Sequence, residues 1–225
     1  MSAALLVGLL AWGTLVGLDL VSVPQMMIAR PLVAGSIAGA MLGDVWTGLT
    51  LGVLFELFQY DVMPVGAVRY PEYGPATVAA VSAAHAAAGT LGLGLGALVG
   101  LIIGMAGGVS LHVVRRLNAR AVQRATAALE AGDTRVLVRL HGASILRDAL
   151  RAALVTALGL GLALLARTYL AGTLSVRGVI LLDVAALGSA LAAGTAGTLR
   201  LVGRGPELRW FAAGVVSGAA VAWLR

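Results

Sequence analysis

No residue between positions 74 and 114 of this chain carries a formal charge. Such a run is too long for the surface of a water-soluble protein, and it is long enough for two membrane crossings of about 20 residues each. The whole chain is 60% hydrophobic and only 12% charged, whereas a soluble domain holds about 25% charged residues. We therefore predict an all-α, polytopic membrane protein.

Breaks in hydropathy predict about six spanning helices, with re-entrant or broken helices in the N-terminal half. The first helix runs from residue 2 to beyond residue 18 and lacks the positive start of a cleaved signal peptide. Two crossings share residues 74–114 and divide near 91–96, and three more are expected at 149–170, 178–199 and 207–224. This gives an N-terminal membrane unit (1–114), a basic amphipathic segment (115–148) and C-terminal membrane helices (149–225).

Arginines concentrate between Arg115 and Arg151. By the positive-inside rule this loop is cytoplasmic, and its apolar residues recur at helical spacing, which predicts a helix on the membrane surface with a break at 131–133. Two interpretations of the loop stay open, contact with anionic lipid and docking of a soluble partner. We interpret the net charge of +6 as a topology signal and expect no nucleic-acid partner.

Residues 17–75 combine membrane-like hydropathy with ionisable side chains, which are costly at membrane depth and generally face a cavity or a partner. The uncharged runs 31–43 and 45–55 are each too short to span, so we predict a re-entrant unit that holds a substrate site. Glycines at 35, 39 and 43 would allow close packing within the chain or between chains. The polar residues proposed to surround the substrate are Gln25, Arg30, Asp44, Glu56 and Glu72, and Asp19 is a candidate for a structural ion pair.

Carboxylates and amides in an apolar cleft suit a polyhydroxylated ligand, although a proton or cation relay would use similar residues. The competing interpretation is structural, with Arg30 paired to Asp19 or Asp44. The three histidines lack metal-ligand spacing, there is no cysteine, and the common hydrolase, metalloprotease and nucleotide-loop motifs do not occur. We predict no catalytic residue, no metal and no cofactor.

An ordered set of motifs resembles the IIC membrane subunit of the mannose/fructose/sorbose class of bacterial phosphotransferase systems. The set consists of Leu18-Asp19, Gln25, Arg30-Pro31-Leu32, Gly39, Leu42-Gly43-Asp44, Thr47-Gly48, Phe55-Glu56-Leu57, Pro64-Val65-Gly66-Ala67 and Tyr70-Pro71-Glu72. A weaker likeness continues through Leu129-Glu130-Ala131-Gly132-Asp133 and Leu140-His141-Gly142 to Arg151. The family's usual PPD or APD stands here as Tyr70-Pro71-Glu72.

The resemblance implies a multi-pass protein of the bacterial inner membrane that works with a IID membrane subunit and soluble IIB and IIA subunits. It implies that this chain binds and translocates a hexose, which a phosphohistidine of IIB phosphorylates, so that the chain is not catalytic alone. We expect an oligomer. Two alternatives stay open: a sugar or small-solute permease driven by an ion gradient without a phosphorelay, and a membrane assembly subunit that transports nothing.

Overall fold

The structure is a computed structural model that describes residues 2–60, 69–85, 92–170 and 173–202. Within these residues, all the regular structure is helical. In chain order the helices are α1 (Ala3–Asp19), α2 (Pro31–Leu42), α3 (Val45–Gln59), α4 (Tyr73–His85), α5 (Leu93–Arg124), α6 (Thr126–Glu130), α7 (Thr134–Tyr169) and α8 (Val176–Val202). This confirms the predicted all-α membrane class.

Three of these helices are long and apolar enough to cross a membrane, namely α5, α7 and the part of α8 from Val176 to Ala196. Helix α1 has 17 residues, which is at the lower end of the range for a spanning helix. The span predicted at 207–224 lies outside the described residues. So do positions 61–68 of the polar loop that precedes α4, and position 91 of the predicted division near 91–96.

Helices α2 and α3 form a hairpin of two short helices, as the sequence predicts; its re-entrant placement in the membrane stays a prediction. Pro31 occupies the first turn of α2, where its missing N–H costs nothing. Gly43 ends α2 with a positive φ of 75°, and Asp44 caps α3 by accepting a hydrogen bond from the backbone N–H of Thr47 at 3.1 Å. Twelve residues of α2 rise only about 18 Å, well short of the bilayer core.

Glycines hold the two arms of this hairpin together. A Cβ atom built on Gly39 would lie 2.9 Å from the Cα of Gly48, and one built on Gly52 would lie 2.9 Å from the Cα of Leu32. Only glycine allows the two backbones to approach this closely. Gly35 and Gly39 of the predicted small-residue spacing therefore pack within the chain, whereas Gly43 ends α2 and a Cβ built on it has no atom within 4 Å.

Helix α4 lies inside the protein. It packs against α1, α2, α3, α5 and α7, and every residue from Tyr73 to Ala84 is buried. We predicted a membrane crossing in this part of the charge-free run. The 13 described residues of α4 are fewer than a crossing needs, and residues 86–91 of the predicted crossing lie outside the described residues. Within α4 the absence of charge accompanies burial in the protein.

The basic segment also differs from the predicted loop. Helix α5 continues to Arg124 and α7 begins at Thr134, so only the five-residue α6 and two short turns join them. Asp133 caps α7 by accepting the backbone N–H of Arg135 at 2.9 Å, after a break at the predicted position. Arg151 is not part of a loop at all: it lies within α7 and is 5% exposed.

Replacement of Gly48 by alanine should separate the hairpin. The added Cβ would collide with the carbonyl oxygen of Gly35 and lie 2.9 Å from the Cα of Gly39, and neither backbone atom can rotate away. We expect Gly48→Ala to lower the free energy of unfolding by about 1–3 kcal/mol, measured as a fall in melting temperature of the detergent-solubilised protein.

Gly161→Ala is the matched control for this substitution. Gly161 is an exposed residue of α7, and a Cβ added there would have no atom within 4 Å, so alanine should be neutral or stabilise the helix by about 0.5–1 kcal/mol. Equal melting temperatures for the two variants would contradict the close packing of the hairpin.

Candidate functional site

The connection from α1 to α2 is held by one buried carboxylate. Asp19 is 3% exposed. Its Oδ1 accepts the backbone N–H of Met26 at 2.6 Å, and its Oδ2 accepts the backbone N–H of Ala29 at 2.9 Å. We expected Asp19 to form a structural ion pair. The structure gives it a structural role through backbone donors instead. By binding these two N–H groups, Asp19 fixes the conformation of the chain between α1 and α2.

Two residues of this connection adopt a conformation that side chains rarely tolerate. Gln25 has a φ of 59° and Met27 a φ of 63°. Such conformations cost about 1–3 kcal/mol each and persist where the surroundings determine them, often at binding sites. Here the surroundings are the hydrogen bonds between Asp19 and the backbone on either side of Met27, which hold this part of the chain in place. They hold Gln25 and Met27 exposed at the surface of the connection.

Arg30 and Glu56 join the start of α2 to the end of α3. The Arg30 Nε donates to the Glu56 Oε1 at 2.6 Å, and an Arg30 Nη2 also contacts this oxygen. The second oxygen of Glu56, Oε2, is buried and has no hydrogen-bond partner among the described residues. A buried acceptor without a donor costs about 1–3 kcal/mol, and more when the group is charged. Glu56 therefore has the capacity to accept a hydrogen bond from a ligand.

A cavity of about 220 Å³ opens beside Arg30, and Glu56 is not among the residues that line it. Pockets for drug-sized molecules measure about 300–1,000 Å³, so this one suits a smaller solute. Its wall offers amide, guanidinium and carboxylate groups beside apolar side chains, which can both donate and accept hydrogen bonds. The residues that line it are Asp19, Leu20, Gln25, Met27, Ala29, Arg30 and Gln59.

Asp44 lies apart from this cavity. It sits at the opposite end of the α2–α3 hairpin from Arg30, about 18 Å away along α2. Its Oδ2 is 3.6 Å from the Nδ1 of His85, at the end of α4. The structure therefore gives Asp44 a capping role and a contact with α4, and it does not place Asp44 beside Gln25, Arg30 and Glu56.

Glu72 lies in the interior and faces Arg151. It is 1% exposed, and its Oε1 accepts an Arg151 Nη2 hydrogen bond at 3.0 Å while its Oε2 accepts from Nη1. The Arg151 Nε donates to the Asp148 Oδ1 at 2.7 Å, and Asp148 Oδ2 accepts from the Ser22 hydroxyl at 2.5 Å. This network, the Glu72–Arg151–Asp148–Ser22 network, connects the start of α4, helix α7 and the segment after α1.

Sequence reasoning missed Arg151 and Asp148 as partners of Glu72. The arginine-rich stretch runs up to Arg151, so the sequence pattern places this residue in the basic segment. One signal was available: Asp148 and Arg151 are three residues apart, which places them on one face of a helix, and the chain after Arg151 is apolar up to Arg167. An acid–base pair at the edge of an apolar helix indicates an internal partner.

Almost the whole chain matches a protein family. The family described as the PTS system sorbose-specific IIC component matches residues 1–221. The mannose-specific EIIC component of Escherichia coli (strain K12) is 27% identical over 140 residues, which are 61% of this chain and 52% of that protein. The fructose permease IIC component of Bacillus subtilis (strain 168) is 31% identical over 127 residues, or 56% of this chain and 46% of that protein.

A solved structure has the same fold. The cryo-EM structure of the mannose transporter ManYZ in complex with microcin E492 (MceA) aligns with a TM-score of 0.62 and 21% identity, over 97% of this chain and 87% of the matched chain. In the sequence comparisons, by contrast, the chain spans about half the length of the curated relatives that it matches.

Loss of Arg151 should destabilise the protein far more than loss of a neighbouring arginine. Arg151→Met would leave the Glu72 and Asp148 carboxylates buried without their guanidinium, at a cost of about 3–5 kcal/mol. The melting temperature in detergent measures the effect. Adding Glu72→Gln to Arg151→Met should recover part of the loss, because it removes one of the two stranded charges.

Arg147→Met is the control for this prediction. Arg147 is half-buried, one turn from Arg151 on α7, and donates to the Asn118 Oδ1 at 2.9 Å. Losing that bond should cost about 0.5–1.5 kcal/mol. Equal destabilisation by Arg147→Met and Arg151→Met would refute a special role for the buried network.

Proposed function

Because the chain belongs to the family of sorbose-specific IIC components of the phosphotransferase system, we propose that it binds a hexose and carries it across the membrane. Relatives named for mannose and for fructose support a hexose as the substrate class. The proposed site is the cavity between the α1–α2 connection and the end of α3. Gln25 and Arg30 line this cavity and contact the sugar there, and Glu56, which is paired with Arg30 and is not part of the lining, accepts a hydrogen bond from a sugar hydroxyl that reaches its Oε2.

The unpartnered Oε2 of Glu56 is the observation that carries this proposal. A buried carboxylate oxygen requires a donor, and a sugar hydroxyl is a donor that leaves the Arg30–Glu56 pair intact. Gln25 and Gln59 on the cavity wall can donate to and accept from the remaining hydroxyls. The left-handed backbone at Gln25 is held by Asp19 through its bond to Met26, so the position of this residue is set before the ligand arrives, which lowers the ordering cost of binding.

Two residues of the predicted binding set have other roles in this proposal. Glu72 directs both carboxylate oxygens to Arg151, and Asp44 caps α3 at the far end of the hairpin. We propose that Glu72 supports the site from within the protein. Asp44 would act on the α4 end of the hairpin through His85 and would not contact a sugar in the cavity.

We propose further that the chain works in the bacterial inner membrane with a IID membrane subunit and soluble IIB and IIA subunits. The IIB subunit would phosphorylate the sugar after translocation. This division of labour is supported by the family and by the likeness in fold to the mannose transporter ManYZ. The segment 115–151, at the ends of α5 and α7, would face the cytoplasm.

Glu56→Gln tests the sugar site. The substitution keeps the shape of the side chain and removes its charge. A hydrogen bond to a charged group contributes about 1.5–3 kcal/mol, so the dissociation constant for the hexose should rise at least about tenfold. Radiolabelled mannose, fructose and sorbose are to be tested against the full chain in lipid nanodiscs.

Glu130→Gln makes the same chemical change on the exposed helix α6 and should leave sugar binding unaltered. If Glu56→Gln binds sugar as tightly as the unmodified chain while both variants keep its melting temperature, Glu56 is not a sugar ligand.

Single cysteines test the proposed orientation, since the chain has none of its own. Gln123 and Thr173 are exposed and lie beyond opposite ends of α7. In intact cells a membrane-impermeant maleimide should label the Thr173→Cys variant and spare the Gln123→Cys variant until the cells are lysed. Labelling of Gln123→Cys in intact cells would reverse the assigned orientation.

A further inference from the structure

A second polar cavity, of about 380 Å³, lies between the end of α1 and the facing sides of α5 and α7. It is larger than the proposed sugar cavity and is distinct from it in its lining. Apolar contacts come from Val21, Leu111, Val114 and Ile145. The polar groups on its wall are those of Ser22, Arg115, Asn118, His141, Ser144 and Asp148.

Some of these polar groups are occupied by the protein itself. Arg115 donates to the Tyr70 hydroxyl at 2.7 Å, and the Asn118 Oδ1 accepts from Arg147. The side chains of His141 and Ser144, by contrast, form no hydrogen bond with any described residue. With the amide N–H₂ of Asn118, they offer donors and acceptors to whatever fills the cavity.

The charges on the wall favour a neutral occupant. The Asp148 carboxylate and the Arg115 guanidinium are opposite in sign, and both already have partners within the protein. Hydroxyl, amide and imidazole groups between the two charges suit a ligand that both donates and accepts hydrogen bonds. A neutral polyhydroxylated solute has this chemistry.

The two cavities meet at one segment of the chain. Asp19 and Leu20 line the sugar cavity, while Val21 and Ser22, the next two residues, line the second cavity. Consecutive Cα atoms are about 3.8 Å apart, so one continuous stretch of backbone contributes to the walls of both cavities. The second cavity also lies at the end of α5 and α7 that carries the basic segment.

We propose that the second cavity is a further binding site for the sugar, which the solute occupies after leaving the cavity at Arg30 and Glu56. This inference rests on the proposed function and adds to it a two-site route. In this route the segment of Leu20 and Val21 forms the partition between the sites. Ser144, His141 and Asn118 bind the sugar hydroxyls at the second site, on the side where the basic segment lies.

Protection of single cysteines from labelling tests the second site directly. Ser144→Cys is a small replacement of a half-buried residue without a hydrogen bond to lose among the described residues. In nanodiscs, mannose, fructose or sorbose at ten times its dissociation constant should slow methanethiosulfonate labelling of this variant by about tenfold. Gly142→Cys is the control, since Gly142 is exposed with nothing near it, and sugar should leave its labelling rate unchanged.

A second reporter, Met27→Cys, monitors the first cavity, which Met27 lines. In the Glu56→Gln background, the same sugar concentration should slow labelling of Met27→Cys by about twofold at most but should still slow labelling of Ser144→Cys by about tenfold. Loss of both protections would show that Ser144 responds only to binding at the first site, and would overturn the second site.

Protection of Met27→Cys without protection of Ser144→Cys in the unmodified background would overturn the second site as well, while the proposed function would stand. If no sugar protects either reporter, the proposed function fails and the second site with it.

Discussion

The buried Arg151 guanidinium is the constraint on which the rest of the architecture depends. A charge in an apolar interior is tolerated only when its hydrogen bonds are satisfied by partners of opposite charge. Arg151 meets this requirement with Glu72, Asp148 and the carbonyl oxygen of Gly17. These partners belong to three parts of the chain, so satisfying one side chain fixes the end of α1, the start of α4 and helix α7 against each other.

The same network reaches the proposed sugar site through Ser22. Its hydroxyl donates to Asp148, and three residues earlier Asp19 accepts from the backbone of Met26 and Ala29. The connection between α1 and α2 is thus held near its start and near its end, which explains how Gln25 can keep a left-handed conformation. The close packing of the α2–α3 hairpin at its glycines brings the start of α2 beside the end of α3. This places Arg30 beside Glu56.

Patterns that depend on neighbouring residues could be predicted from the sequence, and long-range pairing could not. The short arms of the hairpin and the break before α7 follow from local spacing and from the cost of polar groups in a membrane. The pairing of Arg30 does not: the sequence suggests Asp19 or Asp44 as its partner, and in the structure the partner is Glu56. The partner of Glu72 is Arg151, far away in the chain, and the positive-inside rule assigned that arginine to a loop. A charge-free run likewise suits lipid and protein interior equally, so the burial of α4 could not be read from composition.

Hydrogen-bond capacity separates the two buried carboxylates that the sequence placed in one site. Glu72 has a guanidinium nitrogen on each oxygen, and removing that partner would strand a charge, so its environment is complete without a ligand. Glu56 has Arg30 on Oε1 only, and its Oε2 is out of contact with solvent and with any described donor. An unsatisfied acceptor is costly in the ligand-free protein and is relieved when a donor binds. In the proposed site this relief falls on Glu56 and not on Glu72, which is why we propose Glu56 as the carboxylate that binds a sugar hydroxyl.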